Sequence, residues 1–372
     1  MQKEKIRIPD VVASHALPFV DIFKAFFQKH PAVECVQRRR RHVVDVRVMG
    51  LIAALMGLSP TVFAGSIPAS PGWNLEWSDD FSGPAGTPPS SDNWRIDQGH
   101  SYPNGPADWG THEIESYTAD PTNLQLDGQG HLVITPLRDA NGQWTSGRVE
   151  TVRDNFTAPD GGALRMEARI QMPDVIGDKA LGYWPAFWAL GSNFRVDGAW
   201  PHAGEFDIME NVNGLDNVWG ILHCGIEPGG PCGEPFGIGS HLPCPHEACT
   251  VSFHAYTFEW DRSITPERLR WFVDGQLVNQ VGENQLPAST WRELTDQRGY
   301  FLLLDVAIGG GFSFAMSGRS TPTPATEPGH PMVVDYVAVW TRPGTGEKKP
   351  ALKDMSANAA NASSPPPSPA KR

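Results

Sequence analysis

The stretch GEFDIMEN, residues 204–211, places three carboxylates among apolar side chains. On an α-helix, Glu205 and Glu210 would lie about 140° apart around the axis and would not share a face. On a β-strand, Glu205 and Asp207 point to one side, while the intervening Phe206 points to the other. The stretch therefore predicts a strand with a carboxylate face and an apolar face.

Strict alternation along that strand would turn Glu210 away from the other two carboxylates. A single β-bulge between Asp207 and Glu210 adds one residue and returns Glu210 to the face of Glu205, and bulges are common beside active sites. The alternative is a solvated outer face of an antiparallel strand. These residues alone leave both interpretations open, a three-carboxylate site or a polar surface.

Short β-rich runs extend on both sides of this strand, between Trp73 and Trp340, with Gly, Pro, Asn and Asp between them. All 13 tryptophans fall in the same span, which marks it as the folded domain. Asp274-Gly275 is a strong signal for a hairpin turn. Runs of this length with regular turn signals predict an all-β fold, a sandwich of antiparallel sheets. Examples are HLVITPLR (131–138), ALRMEARIQM (163–172), AYTFEW (255–260), LRWFVDGQLVNQV (269–281), YFLLLDVAI (300–308) and MVVDYVAVW (332–340).

The N-terminal segment has the pattern of an exported protein. Arg38–Arg41 precede an apolar run, residues 48–64, that ends in small residues before Gly65. This pattern predicts a secretory signal cleaved after Ala64, and a true start near Met49 would explain the unusual length of the segment. A membrane anchor is the alternative, but 17 residues interrupted by a Ser-Pro pair are short for a membrane span.

Three segments follow from these features: a leader at 1–64, a folded domain at 65–342 and a polar, Pro-rich tail at 343–372 that we expect to be disordered. The leader holds ten Lys and Arg and five Asp and Glu, so its removal takes the formal net charge from −12 to −17. Such an acidic protein repels nucleic acid and anionic polysaccharide. We therefore expect a neutral or cationic partner, no nucleic acid, and no membrane association after signal cleavage.

Four of the five cysteines lie within 26 residues, and the fifth, Cys35, lies in the leader. In an exported chain, such an even local cluster predicts two disulfides, whose pairing the sequence leaves open. Zinc is the rival interpretation because histidines lie nearby, but the spacing lacks the C-x2-C pairs of structural zinc sites. The clustered cysteines are Cys224, Cys232, Cys244 and Cys249.

Two tryptophans lie just upstream of the carboxylates, in GYWPAFWALG at residues 182–191. On a strand, Trp184 and Trp188 share a face, and flat indole rings stack on the C–H faces of sugar rings. The alternative for either tryptophan is a place in the sandwich core. A saccharide groove would suit the carboxylates, because glycoside hydrolysis uses one ionised carboxylate as nucleophile and one protonated carboxyl as acid. Between them, Asp207 can share a proton with the nucleophile and separate the two pKa values.

With these residues the chain resembles glycoside hydrolase family 16, in particular its secreted endo-β-1,3(4)-glucanases or laminarinases. The family signature E-[ILVF]-D-x-x-E is present from Glu205 to Glu210, in the form that contains the bulge. The resemblance implies that Glu205 is the nucleophile, Asp207 its assisting carboxylate and Glu210 the acid/base. It also implies a concanavalin-like β-jelly-roll sandwich of two antiparallel sheets, with a substrate groove across the concave face.

The resemblance extends from about Trp77 to Trp340 and implies further site residues. His223 matches a histidine that family members direct at the catalytic carboxylates, and Arg148 lies in a segment like the family's T-S-G-R-[IV] strand. The alternatives are a structural histidine and a salt bridge on the sheet. The similar segments are THEIESYT (111–118), TSGRVET (145–151), WPAFWALG (184–191), FHAYTFEW (253–260) and VVDYVAVW (333–340).

Two segments depart from the family pattern, and one metal site is implied. The family's G-G-N-W-P-G loop appears as residues 309–313 without its Asn and Trp. The cysteine-bearing insertion, residues 224–250, is longer than expected, directly follows His223, and could close one end of the groove. Many family members hold calcium on the convex side, and Asp80 and Asp335 are the candidate ligands here.

The sequence thus predicts a secreted, monomeric, retaining hydrolase of β-1,3-glucan or mixed-linked β-1,3-1,4-glucan that requires no cofactor. Two alternatives stay open: a non-hydrolytic β-glucan-binding lectin on the same sandwich, and a transglycosylase, which uses the same glycosyl-enzyme. The partner expected in each case is a β-glucan polysaccharide.

Overall fold

The computed structural model of the protein describes residues 67–103 and 105–344. The predicted signal, its cleavage site and nearly all of the predicted tail lie outside these residues, so they stay predictions. Within the described ranges there are three short helices, and no helix there is long and apolar enough to cross a membrane. The helices are α1 (Phe194–Asp197), α2 (Ala288–Thr295) and α3 (Gly310–Ser317), and single 3-10 turns cover Ala107–Gly110, Gly177–Ala180 and Glu283–Gln285.

Strands dominate the described part of the chain, as predicted. They are β1 (Asn74–Asp79), β2 (Trp94–Ile96), β3 (Ser116–Tyr117), β4 (Leu124–Leu126), β5 (Leu132–Ile134), β6 (Leu137–Arg138), β7 (Trp144–Ser146), β8 (Arg148–Thr151), β9 (Ala163–Gln171), β10 (Tyr183–Gly191), β11 (Glu205–Glu210), β12 (Val218–His223), β13 (Ile238–Leu242), β14 (His254–Asp261), β15 (Arg268–Val273), β16 (Gln276–Gly282), β17 (Tyr300–Ile308) and β18 (Met332–Arg342).

Two large antiparallel sheets form the predicted β-jelly-roll sandwich. The seven-stranded sheet has the order β13-β12-β11-β10-β17-β8-β2. The eight-stranded sheet has the order β16-β15-β14-β9-β18-β5-β4, and β1 also pairs with β18. A small third sheet joins β3, β7 and β6. Consecutive strands such as β9 and β10 lie in different large sheets, as expected when a chain winds between the layers of a jelly roll.

The core lies between the two large sheets. Phe206 of β11 stacks on Phe258 of β14, with ring centroids 4.4 Å apart, and on Tyr300 of β17, at 4.3 Å. All three rings are fully buried. Because neighbouring residues of a strand point to opposite faces, this aromatic contact places Glu205 and Asp207 on the outer face of the seven-stranded sheet.

Two local predictions are confirmed in this fold. The hairpin joining β15 and β16 turns at Asp274 and Gly275, whose φ angles are +47° and +77°, and two such left-handed residues are what a type I′ turn requires. The insertion between β12 and β14 contains the two predicted disulfides, Cys224–Cys232 and Cys244–Cys249. Cysteines bonded in this way have no thiolate to offer zinc.

Candidate active site

A β-bulge in β11 brings the three carboxylates onto one face. On the neighbouring β10, Phe187 pairs with Met209 and Trp188 pairs with Asp207, so Ile208 is the extra residue. Ile208 and Met209 are 1% and 0% exposed and belong to the core. Because both point inward, Glu210 returns to the outer face. The bulge predicted from the sequence is therefore present, and the carboxylates do not form a solvated edge.

Each glutamate receives a hydrogen bond from a tryptophan. Trp200 Nε1 donates to Glu205 Oε2 at 3.0 Å, and Trp184 Nε1 donates to Glu210 Oε1 at 2.8 Å. Glu210 is 6% exposed and Glu205 is half-buried. The indoles thus fix one oxygen of each carboxyl group and present apolar ring surface beside it, the kind of surface on which sugar rings stack.

Burial and the charge of Asp207 raise the pKa of Glu210 to about 8. Glu210 therefore holds a proton at neutral pH, as a general acid must. Burial and Asp207 also raise the pKa of Glu205 well above its ordinary value, while the charge of His223 opposes the increase. Crowding of this kind keeps the three carboxyl groups from ionising together, which separates an acid from a base.

His223 stands beside the carboxylates on β12, opposite Glu205 in the strand register. Its Nε2 lies 3.2 Å from Asp207 Oδ2, and its Nδ1 lies 2.6 Å from Glu234 Oε2. Two ring nitrogens that both face carboxylate oxygens are satisfied only in the doubly protonated imidazolium. Burial lowers the pKa of His223, but the nearby carboxylates of Asp207 and Glu234 more than offset this and hold the pKa well above its ordinary value.

Trp188 lies on the same sheet, and two neighbouring side chains fix its indole ring. Its Nε1 donates to Asp305 Oδ1 at 2.7 Å, and the Arg148 guanidinium lies 4.9 Å from its ring centroid. Arg148 also pairs with Asp97 at 3.0 Å, and its side chain is only 6% exposed. The structure therefore places Arg148 against Trp188 and in a salt bridge, where it supports the aromatic side chain and does not face solvent.

The segment that lacks the family's Asn and Trp is the start of helix α3. Its Phe312 packs edge-on against Trp184, with centroids 5.6 Å apart, and against Trp219, at 5.4 Å. Trp219 pairs with Glu210 in the register of β11 and β12. Phe312 thus lies beside the carboxylates in the segment where the family's Asn and Trp are missing.

The predicted calcium ligands have other partners in the structure. Asp335 Oδ2 lies 2.6 Å from Arg169 Nη1, and its Oδ1 lies 4.0 Å from His131 Nε2. Asp80 Oδ1 accepts a hydrogen bond from the backbone N–H of Ser82. Among the described residues, neither group of three possible metal-ligating side chains contains Asp80 or Asp335. Arg169 is thus the nearest charged partner of Asp335, and calcium at Asp80 and Asp335 stays a prediction.

Three residues that the sequence analysis did not identify complete the site: Trp200, Glu234 and Asp305. Trp200 lies just before the carboxylate strand, and its aromatic type is the one local signal that could have identified it. Glu234 and Asp305 reach the site through partners distant in sequence, and a single acidic residue in a loop or a strand does not indicate such a role.

Comparisons with known proteins agree with this geometry, although no family profile matches the chain. The chain is 54% identical to the solved endo-1,3-beta-glucanase of Streptomyces sioyaensis, covering 75% of this chain and all of that one, with a TM-score of 0.73. It is 30% identical to the beta-glucanase of Rhodothermus marinus, over 79% of this chain and 94% of that protein. The chain belongs to glycoside hydrolase family 16.

This membership confirms the predicted family and the predicted enzyme class, a glycoside hydrolase. Another relative is the glucan endo-1,3-beta-glucosidase A1 of Niallia circulans, 29% identical over 73% of this chain. The chain spans only 38% of the length of that relative. The β-jelly-roll sandwich of the family 16 structures is likewise the fold found here.

Proposed function

We propose that the protein is a secreted, retaining endo-β-glucanase that cleaves β-1,3-glucan or mixed-linked β-1,3-1,4-glucan. The observation that carries this proposal is the bulged strand, which puts Glu205, Asp207 and Glu210 on one face with an indole N–H on each glutamate. The relatives above are named as an endo-1,3-beta-glucanase, a glucan endo-1,3-beta-glucosidase and a beta-glucanase.

The proposed reaction has two steps that use the two glutamates differently. Glu205 attacks the anomeric carbon, while Glu210 gives its proton to the leaving glycosidic oxygen. The glycosyl-enzyme bond to Glu205 is then broken by water, from which Glu210 takes a proton. Asp207 helps to keep a proton on Glu210 before the first step, because its carboxylate raises the pKa of that glutamate.

Substrate binding is assigned to the indoles on the outer face of the seven-stranded sheet. Trp184 and Trp188 are partly exposed there, and each is fixed by a hydrogen bond from its Nε1 to a carboxylate. Fixed aromatic rings bind the apolar faces of neutral sugars with little loss of side-chain freedom. The proposed acidic mature chain suits a neutral glucan, since it would repel a sulphated one.

Export is supported by two independent features. The apolar run at 48–64 has the pattern of a cleaved secretory signal. The two disulfides in the insertion are bonds that form and persist in oxidising compartments. We therefore propose an extracellular or periplasmic protein.

The test measures reducing-sugar release by the purified protein from laminarin, mixed-linked β-glucan, agarose and xyloglucan in parallel. Release from laminarin, alone or with the mixed-linked glucan, is the expected result. The first product should carry the β-anomer in a rapid NMR assay, because retention preserves the configuration of the bond that is cleaved. The α-anomer as first product contradicts retention.

Two other outcomes of the same assay would replace the proposal. Binding to laminarin without any release of reducing sugar indicates a lectin. Formation of longer oligosaccharides once an acceptor is added indicates a transglycosylase. A transglycosylase and a hydrolase share the glycosyl-enzyme and differ only in the group that attacks it.

A further inference from the structure

The insertion between β12 and β14 reaches the catalytic carboxylates through one buried side chain. Glu234 lies two residues after Cys232, whose bond to Cys224 closes the loop that begins next to His223. Its backbone forms a bridge with Gly229, through hydrogen bonds of 2.7 and 2.6 Å. The side chain of Glu234 is 0% exposed. A carboxylate this deeply buried needs strong partners, because desolvation disfavours its charge.

Glu234 has two such partners, and both belong to the end of β12. Oε2 lies 2.6 Å from His223 Nδ1, and Oε1 accepts the backbone N–H of Cys224 at 2.8 Å. The two contacts use different oxygens, so the carboxylate cannot rotate without losing one of them. This arrangement fixes the position of Glu234 relative to the imidazole of His223.

The other side of the imidazole faces the reacting groups. His223 Nε2 lies 3.2 Å from Asp207 Oδ2, and Glu205 pairs with His223 across the strand register. The charged groups around the ring are therefore Glu205 and Asp207 from β11 and Glu234 from the insertion. The loop before β13 places Gly237 near the ring, where a glycine adds no charge.

We propose that Glu234 is a positioning residue of the active site, which keeps His223 protonated and directed at Asp207. The inference rests on the proposed hydrolysis, in which Glu205 must ionise and Asp207 must stay charged beside it. An imidazolium between two carboxylates does both, because its positive charge favours the ionised form of each neighbour. The insertion thereby belongs to the catalytic apparatus.

The charge of Glu234 is the part of this arrangement that a substitution can remove cleanly. In Glu234→Gln, the side-chain oxygen still accepts the N–H of Cys224, while the negative charge beside His223 is lost. His223 then releases its proton at a lower pH, since one of the two carboxylates that stabilise the imidazolium is neutral. Glu227→Gln makes the same chemical change at an exposed position of the same disulfide loop and is the matched control.

The experiment compares wild type, Glu234→Gln and Glu227→Gln for kcat/KM on laminarin between about pH 5 and about pH 9, where histidine titrates. We expect Glu234→Gln to lose about 10-fold at the acid end and about 100-fold at the alkaline end, by analogy with the loss seen when the outer partner of a metal-bound histidine is removed. The deficit should grow with pH because His223 loses its charge only in the variant. Glu227→Gln should follow the wild-type profile.

NMR titration of the His223 imidazole provides a readout that does not need activity, with its signal assigned by its absence in His223→Asn. A lower midpoint in Glu234→Gln than in wild type supports the proposal even if the wild type hydrolyses no glucan. An unchanged midpoint overturns it, and so does a pH-independent loss of kcat/KM. If wild-type hydrolysis itself is absent, the proposed function fails, and the titration alone decides the role of Glu234.

Discussion

Trp184 donates its indole N–H to Glu210 Oε1 at 2.8 Å. This hydrogen bond favours the ionised form of Glu210 and so lowers a pKa that burial and Asp207 raise to about 8. The wild-type enzyme should therefore lose kcat/KM on the alkaline side as Glu210 gives up its proton. We therefore expect Trp184 to set the upper end of the working pH range, in addition to the sugar contact proposed for its ring.

Trp184→Phe should move that alkaline limit to higher pH. The variant keeps an aromatic ring but loses the donor, so the pKa of Glu210 rises and the acid form persists further. At neutral pH we expect kcat to fall about 10-fold, because the carboxyl group is less well oriented. The measurement is a pH profile of kcat/KM. The control is Trp73→Phe, because the Trp73 ring packs near β18 on the other sheet. An unchanged alkaline limit in Trp184→Phe would contradict the role assigned to the indole N–H of Trp184.

Glu205→Ala and Glu210→Ala should each reduce hydrolysis by about 1,000-fold or more, because each carboxyl performs a proton transfer or bond formation that water replaces poorly. Binding of laminarin should persist in both, as measured by affinity electrophoresis. Glu227→Ala, at an exposed position of the insertion, should retain full activity.

Azide rescue with an aryl β-laminaritrioside distinguishes the two glutamates. In Glu205→Ala, azide takes the place of the nucleophile and forms the α-glycosyl azide directly. In Glu210→Ala, azide attacks the glycosyl-enzyme on Glu205 and forms the β-glycosyl azide. The reverse pattern of products would exchange the roles of Glu205 and Glu210.

Phe312→Ala should weaken binding of laminarin oligosaccharides more than it changes catalysis. Its ring packs edge-on against Trp184 and Trp219, and each such aromatic pair contributes about 0.5–1.5 kcal/mol beyond its buried area. We therefore expect KM to rise about 3- to 10-fold with kcat within about twofold of wild type. Phe314→Ala removes an exposed ring from the same helix and should leave KM unchanged. Equal effects of Phe312→Ala and Phe314→Ala on KM would show that Phe312 contributes only to the structure of helix α3.

The two disulfides should differ in their effect on activity. Replacing the cysteines of either bond by serine should lower the free energy of unfolding by about 2–4 kcal/mol. The Cys224–Cys232 variant should also lose kcat, because that bond anchors the chain two residues before Glu234. The Cys244–Cys249 variant is the matched control, and both are assayed well below their Tm. Equal kcat values in the two variants would contradict the prediction, because they would show that the Cys224–Cys232 bond does not fix the position of Glu234.

Stability should fall as the pH rises from about 5 to about 7, and Glu115 should account for part of that fall. Burial raises the pKa of Glu115 to about 7 from its ordinary value of 4.5. The folded state therefore binds a proton that the unfolded state releases in this range, and folding is favoured at the lower pH. Glu115→Gln keeps an acceptor for the backbone N–H of Ile308 but should flatten the dependence of Tm on pH. An equally steep dependence in the variant would contradict the raised pKa.

Much of the fold was predictable because its signals are local. Alternation of side chains along residues 205–207 indicates a strand, the spacing to Glu210 requires a bulge, and Asp274-Gly275 specifies a hairpin turn. Each of these follows from the geometry of a few consecutive residues. The helical start of α3 was not predictable in this way, because three consecutive glycines favour a loop, and the helix is held by the packing of its buried Ser313.

The site was predictable only where the reacting residues stand next to one another in the chain. Asp305 meets Trp188 across 117 positions of sequence, and Glu234 depends on how a disulfide folds a loop back on β12. Such contacts are set by tertiary structure and leave no periodic pattern. Arg148 illustrates the same limit, since its residue type suits both substrate binding and the buried pairing with Asp97 that the structure shows.

The extra residue in β11, Ile208, also bears on the hydrophobic core. If Ile208 were deleted, Glu205, Asp207 and Glu210 would fall on every second position of a regular strand and would still share one face. The three catalytic groups therefore need either a short spacing without a bulge or the longer spacing found here. What the bulge adds is a second hydrophobic side chain pointing inward between the same two acids. The longer spacing between Asp207 and Glu210 is thus set by packing in the sandwich interior. A strand shortened by deletion of Ile208 should keep its chemistry but leave a cavity in the core beneath it.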